Sequence, residues 1–556
     1  MASESSPSPP PEFPPVDPTN FDLIVIGTGL PQSIIAAAAS TAGKSVLHLD
    51  PNPFYGSHFS SLSPPNLSSF ILSPPSRPFL SSTISEEFDV LSLTSRSLYS
   101  GIEISPLPNE LEALAQRFCF DVSGPRVLFC ADSAIDLLLK SGVSHYMEFK
   151  SVDAVLFYDA ESSTFSNVPD DRNAVFAVGN LKLTEKTKLG LFFKLVRDYL
   201  SGQAADVISD EDLESPFVDF LDKKLPPKFK RIILYAIALA EYDQENLEVC
   251  KDLLKTKDGI GRLALYHSSK GRFPNAPGAM LYPMYGQGEL PQAFCRRAAV
   301  KGCIYVLRMP VTALLADKGS GKYKGVRLAS GQDIFSQQLL IDPNFEVPEA
   351  LALSRLGGEQ GGSQNSIIRD VKKVARGICI ARTSLKADAS QSDASNLLIV
   401  FPPRSLYPEQ VTTVRALQLC SNSAVWPVGM FVFHLSTLCD DASKGKNLLT
   451  AAMNVLCTQS ISETDPSEDP KDNSATQSGV TEEQNPAFIW TALFIQEITE
   501  ESVHTISISP SPDGNLSYSN LIDTTEKMYR QMFPGDEFFP EIASTDEPDA
   551  AEDVPE

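Results

Sequence analysis

The chain has few of the residues from which metal sites and disulfide frameworks are built. Among 556 residues, its six histidines show no HExxH-type spacing and its nine cysteines form no CxxC pair, so neither a zinc site nor a disulfide framework is predicted. Lysine and arginine are scarce as well, 46 against 70 aspartates and glutamates, which gives a formal net charge of −24. A chain this acidic repels phosphate backbones, so we do not expect it to bind nucleic acid.

Long apolar runs and targeting signals are also missing. No apolar run approaches the roughly 20 residues that span a bilayer. The first residues, MASESSPSPPPEFPP, have no basic start and no apolar stretch, and the last, DAAEDVPE, contain no prenylation box. We therefore expect a reduced cytoplasmic protein. With 42% apolar residues the chain can bury a core, and its length suits two to four domains.

A strand, a glycine turn and a helix open the folded part of the sequence. Residues 21–27, FDLIVIG, are a continuous apolar run typical of a strand buried on both faces. A helical stretch at 33–42 and a second strand at 45–50 complete a βαβ unit of about 30 residues. This unit predicts a parallel α/β sheet of the FAD/NAD-binding type.

The glycine motif in this unit is degenerate. Gly27 and Gly29 permit a tight turn close to a pyrophosphate, and Asp50 stands where an acid would hold a ribose hydroxyl. The third glycine position of GxGxxG holds Gln32, although a small residue is needed there to leave room for phosphate. We therefore predict a nucleotide-type fold without a cofactor. An FAD-dependent oxidoreductase is the alternative, but its late strand ending in Gly-Asp is not found, since the late Gly-Asp pair at 535–536 follows a helix.

Composition divides the chain into segments. Stretches rich in Ser, Pro or acidic residues cannot form a core, whereas the 3.6-residue periodicity at 189–200 indicates a helix. The predicted segments are a disordered tail at 1–20, the first part of domain I at 21–174, helical domain II at 175–260, domain I continued at 261–459, a disordered acidic insertion at 460–486, the last part of domain I at 487–541 and an acidic tail at 542–556. The predicted fold class is α/β: a flavoprotein-like domain with a mixed sheet, plus a smaller all-helical domain.

Two blocks are more specific than the glycine motif alone. They are FDLIVIGTGLPQSIIAAAASTAGKSVLHLDPNPFYG at 21–56 and LYPMYGQGELPQAFCRRAAVKGCIYVL at 281–307. Together they resemble the N-terminal and central signatures of the family of Rab GDP-dissociation inhibitors and Rab escort proteins. The resemblance covers about 21 to 540. It implies a flavoprotein-like domain I, an added helical domain II, and binding of Rab GTPases and their prenyl chains instead of FAD.

Three features favour the escort branch of that family. The stretch GTGLPQSIIAAAAS resembles the escort variant, the insertion and N-terminal tail exceed the compact inhibitor length, and TEKMYRQMFPGDEFFPE at 525–541 resembles the escort C terminus. The resemblance implies a protein that binds GDP-bound Rab, presents it to the alpha/beta heterodimer of Rab geranylgeranyl transferase and carries the lipidated product to a membrane. It would have no catalytic residues of its own. A GDP-dissociation inhibitor remains the alternative.

In this family a surface of domain I, called the platform here, binds the switch regions of Rab. The matching positions are Tyr55 in NPFYG and Glu289 and Arg296 in GELPQAFCR, with Ile304 and Val306 as weaker candidates. On a helix, Glu289 and Arg296 would share one face about 10 Å apart. An acid and a base so placed can pair with opposite charges on a partner, while an ordinary solvated helix face is the simpler interpretation. The family pattern breaks just after this block, where a lysine replaces an aromatic ring and a cysteine a glycine.

The helical domain is the predicted lipid-binding region. Each buried CH₂ is worth about 0.8 kcal/mol, so a C20 chain kept away from a membrane needs an apolar cavity. The residues expected to line it are Leu189, Phe192, Phe193, Val196, Ile233 and Ile237. Each of them would also suit a plain helix-bundle core. The transferase is expected to dock on the same domain, at Phe217, Phe220 and Leu221, if these side chains are exposed.

Overall fold

The computed structural model of the chain describes residues 13, 15–75, 87–169, 182–202, 208–353, 372–385, 395–424, 426–461 and 488–540. Most of the predicted tail at 1–20, the predicted insertion at 460–486 beyond Ile461, and the predicted tail at 542–556 lie outside the described residues. The domain boundaries proposed from the sequence remain predictions.

The helices and strands have the following bounds. The helices are α1 (Leu30–Thr41), α2 (Pro64–Ile71), α3 (Asn109–Glu112), α4 (Ser133–Lys140), α5 (Leu183–Leu200), α6 (Asp210–Glu214), α7 (Phe217–Asp222), α8 (Pro227–Ile232), α9 (Thr256–Ser269), α10 (Glu289–Val300), α11 (Glu349–Leu353), α12 (Ala442–Ile461) and α13 (Ser519–Met532). The strands are β1 (Asn20–Ile26), β2 (Val46–Asp50), β3 (Ser61–Leu62), β4 (Phe88–Ser92), β5 (Thr94–Ser95), β6 (Tyr99–Ile104), β7 (Phe120–Asp121), β8 (Leu128–Phe129), β9 (Phe149–Ser151), β10 (Ala154–Asp159), β11 (Thr164–Asn167), β12 (Met280–Pro283), β13 (Ile304–Leu307), β14 (Val311–Asp317), β15 (Tyr323–Leu328), β16 (Asp333–Ile341), β17 (Phe345–Glu346), β18 (Lys373–Ala381), β19 (Leu397–Phe401), β20 (Val414–Leu419), β21 (Phe431–Cys439), β22 (Phe488–Glu497) and β23 (Ile506–Ile508). Short 3-10 turns lie at Ser57–Phe59, Ala115–Arg117, Val143–Tyr146 and Ser421–Ser423, and a π turn lies at Ile233–Ile237.

The βαβ unit predicted from the glycine turn is confirmed. β1 pairs in parallel with β2 on one side and with β16 on the other. Over the described ranges this sheet has eight strands, in the order β13-β2-β1-β16-β15-β14-β4, with β23 also paired to β16. The pairs β14–β15, β14–β4 and β15–β16 are antiparallel, so the sheet is mixed, as predicted. Every residue of β2 is buried, His48 and Asp50 included, as expected of a parallel strand that is covered on both faces.

Helix α1 is enclosed by neighbouring elements because its side chains are small. Ala36, Ala37, Ala38 and Ala39 have no exposed surface. Alanine side chains let α10 and α13 approach α1 closely, and the three helices share one apolar core. The helix α10, which carries two of the predicted platform residues, is thereby fixed against the first strands of the sheet.

A second sheet is built from strands that alternate along the chain with those of the first. Where the structure describes the chain, its eight strands run in the order β11-β10-β19-β20-β21-β18-β22-β6, and the pairs are antiparallel except β10–β19. Helix α12 packs on it through Leu448, Leu449 and Ala452. The sequence analysis did not identify α12, although Leu448, Leu449, Ala452 and Leu456 follow helical spacing.

Helices α5 to α9 occupy residues 183–269, around the predicted helical domain at 175–260. The apolar stretch at 227–239 does not form one regular helix. It begins as α8 and continues as the π turn, in which the Ala238 N–H donates to the carbonyl of Ile233 at 2.8 Å. Leu239, directly after it, has a left-handed φ of +54°, an uncommon conformation for a branched side chain.

Two segments rich in Ser and Pro contain ordered structure where the chain is described. The tail at 1–20 was expected to be disordered, but Val16 is buried and its backbone N–H and C=O both bond the Gln332 side chain, at 2.9 and 2.7 Å. The second segment, after residue 56, contains α2, which begins at two prolines compatible with a first helical turn. Among the described residues, no helix has the length and apolar character needed to cross a membrane.

Two glycines of α9 make a matched pair for a stability test. A Cβ on Gly259 would lie 2.4 Å from Cδ1 of Phe217, whereas a Cβ on Gly261 would meet no atom within 4 Å. We expect Gly261→Ala to stabilise the chain by about 0.5–1 kcal/mol through helix propensity. Gly259→Ala should instead destabilise it by about 1–3 kcal/mol, because the Phe217 ring must move. Urea unfolding of both variants measures the difference; equal effects would contradict the contact.

Candidate functional site

The glycine turn at 27–32 is filled by the chain's own side chains. Gln32 is 1% exposed, and its Nε2 donates to Oδ2 of Asp342 at 3.3 Å. A Cβ on Gly29 would lie 2.6 Å from Oε1 of Gln32, so the amide folds back over that glycine. At Gly27, where φ is +92°, a Cβ would lie 2.6 Å from Oδ2 of Asp342. An amide and a carboxylate therefore occupy the space beside the turn that a pyrophosphate needs.

Asp50 is equally committed to internal contacts. Its Oδ2 accepts hydrogen bonds from the Thr28 N–H at 2.8 Å, the Thr28 hydroxyl at 2.6 Å and the Ser57 hydroxyl at 3.1 Å. Its Oδ1 accepts from the Asn52 backbone and side chain at 2.8 and 2.9 Å. Burial raises the pKa of this carboxyl, while the bonds from Thr28 and Asn52 oppose that shift. With five donors already bound, Asp50 has little capacity left for a ribose hydroxyl, so these residues do not fit a dinucleotide.

Two buried histidines complete the polar network around the turn. His48 is fully buried; its Nε2–H donates to the Gly27 carbonyl at 2.7 Å, and its Nδ1 accepts from the Tyr305 hydroxyl at 3.0 Å. Both ring nitrogens of the neutral imidazole are satisfied. His58 lies between Asp342, 3.0 Å from its Nε2, and the hydroxyl of Tyr99, 2.8 Å from its Nδ1. The sequence analysis did not identify either histidine, since neither lies in a recognisable motif.

The state of His48 predicts a pH dependence of folding stability. Burial lowers its pKa to about 4 from the 6.5 of an exposed ring. The unfolded chain then binds the proton more readily, so the contribution is complete above pH 6.5 and is lost as pH falls towards 4. Between pH 7 and 5 we expect a loss of about 2 kcal/mol from this group.

The measurement compares urea unfolding at pH 7 and pH 5. His48→Gln, which cannot take up this proton, should lose less stability over that interval than the unmodified chain. His145→Gln changes a histidine that is exposed in the folded chain and should keep the unmodified slope. An unchanged slope for His48→Gln would contradict the prediction.

The predicted platform begins with an aromatic pair beside the glycine turn. Tyr55 lies half-buried in the loop after β2, and its ring meets the Tyr305 ring edge-on at 6.0 Å. Tyr305 also packs against His48 at 4.8 Å. Burial raises the pKa of the Tyr55 hydroxyl, with smaller effects from Cys295 on α10, Asp50 and Cys303. Tyr55 is thus placed at the junction of β2, β13 and α10, with part of its ring still open to water.

Glu289 and Arg296 carry the charges of this surface. Both lie on α10, as predicted, with Glu289 half-buried in its first turn and Arg296 exposed two turns later. Neither forms an ion pair with any residue in the described ranges. Burial raises the pKa of Glu289, which means that its charged form is disfavoured while no cation is close. An unpaired acid and an unpaired base on one helix face are suited to charges supplied by a partner.

Ile304 and Val306 lie on the opposite face of the sheet from Tyr305. Along β13 successive side chains alternate between the sheet faces. Tyr305 packs on the face covered by α1 and α10, next to Tyr55, whereas Ile304 and Val306 pack on the opposite face, with Leu47 and Leu49. They therefore do not lie beside the Tyr305 ring that Tyr55 contacts, and their assignment to the platform remains a prediction.

The six lipid-pocket candidates form core in this structure. Leu189, Phe192, Val196, Ile233 and Ile237 are 1–6% exposed and belong to one apolar cluster, with the half-buried Phe193 packed against it. A cavity of about 390 Å³ lies next to them, within the range of small-molecule sites. Of the six, only Ile237 lines it; the remaining walls include Phe129, Leu239, Leu265, Glu241 and Arg262. The candidates' role in lipid binding remains a prediction.

The expected exposure of the transferase-docking candidates is wrong. Phe217 is 0%, Phe220 1% and Leu221 0% exposed. The two rings stack at 6.4 Å, and the Phe217 ring fills the space left by Gly259 of α9. The three side chains lie on the inward face of the short helix α7. In this arrangement the three side chains contribute to the core and offer no surface to a partner.

The fold and the site together define a flavoprotein-like scaffold. Side chains of the chain itself occupy the space beside its glycine turn where a nucleotide pyrophosphate would bind. Among the described residues, no group of three or more potential metal ligands is present. The family model described as GDP dissociation inhibitor matches residues 17–73 and 88–533. The chain belongs to this family.

Similar proteins include escort components. The chain is 51% identical over 554 residues to Rab escort protein 1 of Arabidopsis thaliana, with 96% of each chain covered. It is 27% identical to the Rab proteins geranylgeranyltransferase component A of Drosophila melanogaster, with 95% of this chain and 92% of the relative covered. A Rab GDI structure from Plasmodium falciparum shares the fold with a TM-score of 0.63 at 16% identity, covering 92% of this chain and 98% of the relative.

Proposed function

We propose that the chain acts as an escort for Rab GTPases. It binds unprenylated, GDP-bound Rab, presents the Rab C terminus to the alpha/beta heterodimer of Rab geranylgeranyl transferase, and delivers the lipidated product to membranes from the cytosol. The observation that carries the proposal is the 51% identity to an escort protein over 96% of both chains. The filled glycine turn supports it, because Gln32 and Asp342 stand where a flavin pyrophosphate would lie.

In this proposal Tyr55, Glu289 and Arg296 form the platform that meets Rab. The two charges form no ion pair with any described side chain, and the Tyr55 ring packs against Tyr305. Charges of this kind set the orientation and rate of association more than raw affinity. The aromatic ring beside them can supply an apolar contact, and buried aromatic contacts contribute much of the binding energy at protein interfaces.

The proposed escort carries out no chemistry itself. The two thiols nearest to the platform, Cys295 and Cys303, are buried, and burial raises the pKa of each to about 12. Thiols held in the protonated form are poor nucleophiles. The bond between prenyl carbon and Rab cysteine would therefore be made by the transferase, with this chain holding the substrate.

A bound geranylgeranyl chain requires the helical region to open. The candidate side chains from Leu189 to Ile237 are packed together, so a C20 chain enters by separating them or by extending from the cavity that Ile237 lines. The apolar surface of the lipid then takes the place of the helix–helix packing, at about 0.8 kcal/mol for each buried CH₂. Lipid binding is then a shift between a closed and an open packing.

In-vitro prenylation tests the proposal. Purified chain, Rab–GDP, geranylgeranyl diphosphate and the transferase heterodimer are combined, and transfer to Rab is measured with and without the chain. An escort is required for transfer. Failure to support transfer, together with extraction of already prenylated Rab from membranes, would assign the chain to the inhibitor branch, which the family match and the Plasmodium falciparum fold relative also accommodate.

A further inference from the structure

Tyr146 and Arg296 form a contact that their sequence positions did not reveal. The guanidinium carbon of Arg296 lies 4.5 Å from the centre of the Tyr146 ring, within the roughly 6 Å at which a cation is attracted to the face of an aromatic ring. The ring is half-buried and packs against the core shared by α1, α10 and α13. Arg296 itself remains exposed. The guanidinium thus rests on the ring while its N–H groups are open to water.

The segment that carries Tyr146 is fixed relative to α10. Tyr146 ends the 3-10 turn that begins at the fully buried Val143. Directly after the turn, the carbonyl of Glu148 accepts from the N–H of Met284 at 2.9 Å, and Phe149 of β9 pairs with Pro283 of β12. β12 leads into α10 within a few residues. Ring and helix are therefore parts of one hydrogen-bonded unit.

A second arginine packs against the same turn. The guanidinium carbon of Arg297 lies 3.7 Å from the point that a Cβ on Gly142 would occupy. Gly142 precedes the turn and has a left-handed φ of +70°, which a glycine adopts without strain. Arg296 thus meets the last residue of the turn, and Arg297 lies beside the glycine that precedes it, so consecutive arginines of α10 flank this turn.

We propose that Tyr146 is a positioning residue for the platform: its ring orders the Arg296 guanidinium in the exposed orientation that meets a carboxylate of Rab. This inference rests on the proposed function. A free arginine side chain samples many rotamers, and ordering them on binding weakens affinity. A ring that already holds the guanidinium removes part of that loss. Tyr146 itself does not need to touch Rab.

The test is a double-mutant cycle on the full chain, with purified Rab–GDP as the ligand. We expect Tyr146→Ala to weaken binding by about 3- to 30-fold, the range of a cation–π contact. Tyr146→Phe keeps the ring and should bind within about twofold of the unmodified chain. In an Arg296→Ala background, Tyr146→Ala should change the Kd by less than about twofold, since the group it orders is gone.

Two further readouts separate positioning from a structural role. Tyr146→Leu retains apolar bulk at the site but has no aromatic face, so it should keep the thermal unfolding midpoint and still bind weakly. Equal weakening by Tyr146→Ala with and without Arg296, or full affinity of Tyr146→Leu, would overturn the inference. If the unmodified chain and all Tyr146 variants bind Rab with the same affinity, the inference is overturned and the proposed function stands. An unmodified chain that does not bind Rab would overturn both.

Discussion

Replacing Arg296 with alanine is expected to raise the Kd for GDP-loaded Rab by about 30-fold or more. Truncating one member of a charge pair that becomes buried at an interface costs about 2–5 kcal/mol, and each 1.4 kcal/mol is tenfold in affinity. Arg296 is exposed, rests on the Tyr146 ring and has no ion-pair partner among the described residues. Its removal should therefore change the stability of the free protein little, whereas the complex loses the whole contact. Titration of the purified chain with Rab–GDP gives the Kd.

Arg530→Ala is the matched control for this experiment. Arg530 is also an exposed helical arginine, on α13, but it pairs with Glu526 at 2.6 Å within its own helix. The substitution changes net charge by the same amount at another place, so its effect on Kd should stay within about twofold, as for screened surface charges. Equal losses from both variants would mean that overall charge, and not the α10 face, governs binding.

Phe217→Ala is expected to lower the free energy of unfolding by about 3–5 kcal/mol, the usual result of removing a buried ring. Phe217 is fully buried against Phe220 and Gly259, and its N–H bonds the Leu254 carbonyl at 2.8 Å. The substitution leaves a hole between α7 and α9 that the rigid backbone of α9 cannot close. Chemical denaturation of the full chain measures the loss.

Leu191→Ala supplies the comparison on the neighbouring helix α5. Leu191 is 61% exposed, so its truncation should change stability by no more than about 0.5 kcal/mol. If Phe217→Ala left stability unchanged and instead abolished binding to the transferase heterodimer, the residue would be a surface contact and its burial in the core would be contradicted.

The sequence identified the parts of the fold that depend on local patterns. The βαβ unit was predicted because a buried parallel strand has a continuous apolar sequence and because glycines mark its turn. The placement of Glu289 and Arg296 on one helix followed from their separation. The antiparallel second sheet was not predicted, since β18 pairs with β21 and β22, strands 50 to 120 residues away, and register at such distances is set by tertiary packing.

The site was predictable as far as single positions carry a signal. Gln32 was identified from the sequence as the residue that leaves no room for phosphate. Its partner Asp342 lies 310 residues away, and no sequence pattern connects the two positions. The orientation of Ile304 and Val306 needed the sheet faces, which the strand sequence IYVL does not distinguish because both faces are apolar. Tyr146 was not identified from the sequence because a single half-buried tyrosine belongs to no pattern. Its role depends on Arg296, which lies over its ring only in the folded chain.

The last described stretch of the chain completes structures begun much earlier. β22 inserts between β18 and β6, β23 joins the edge of β16, and α13 covers α1. During translation these early elements cannot complete their packing until residues 488–532 have been synthesised. A premature stop codon between residues 462 and 487 would therefore leave β18 and β6 without β22 and the apolar helix α1 without α13, and we expect quality-control proteases to degrade such a chain.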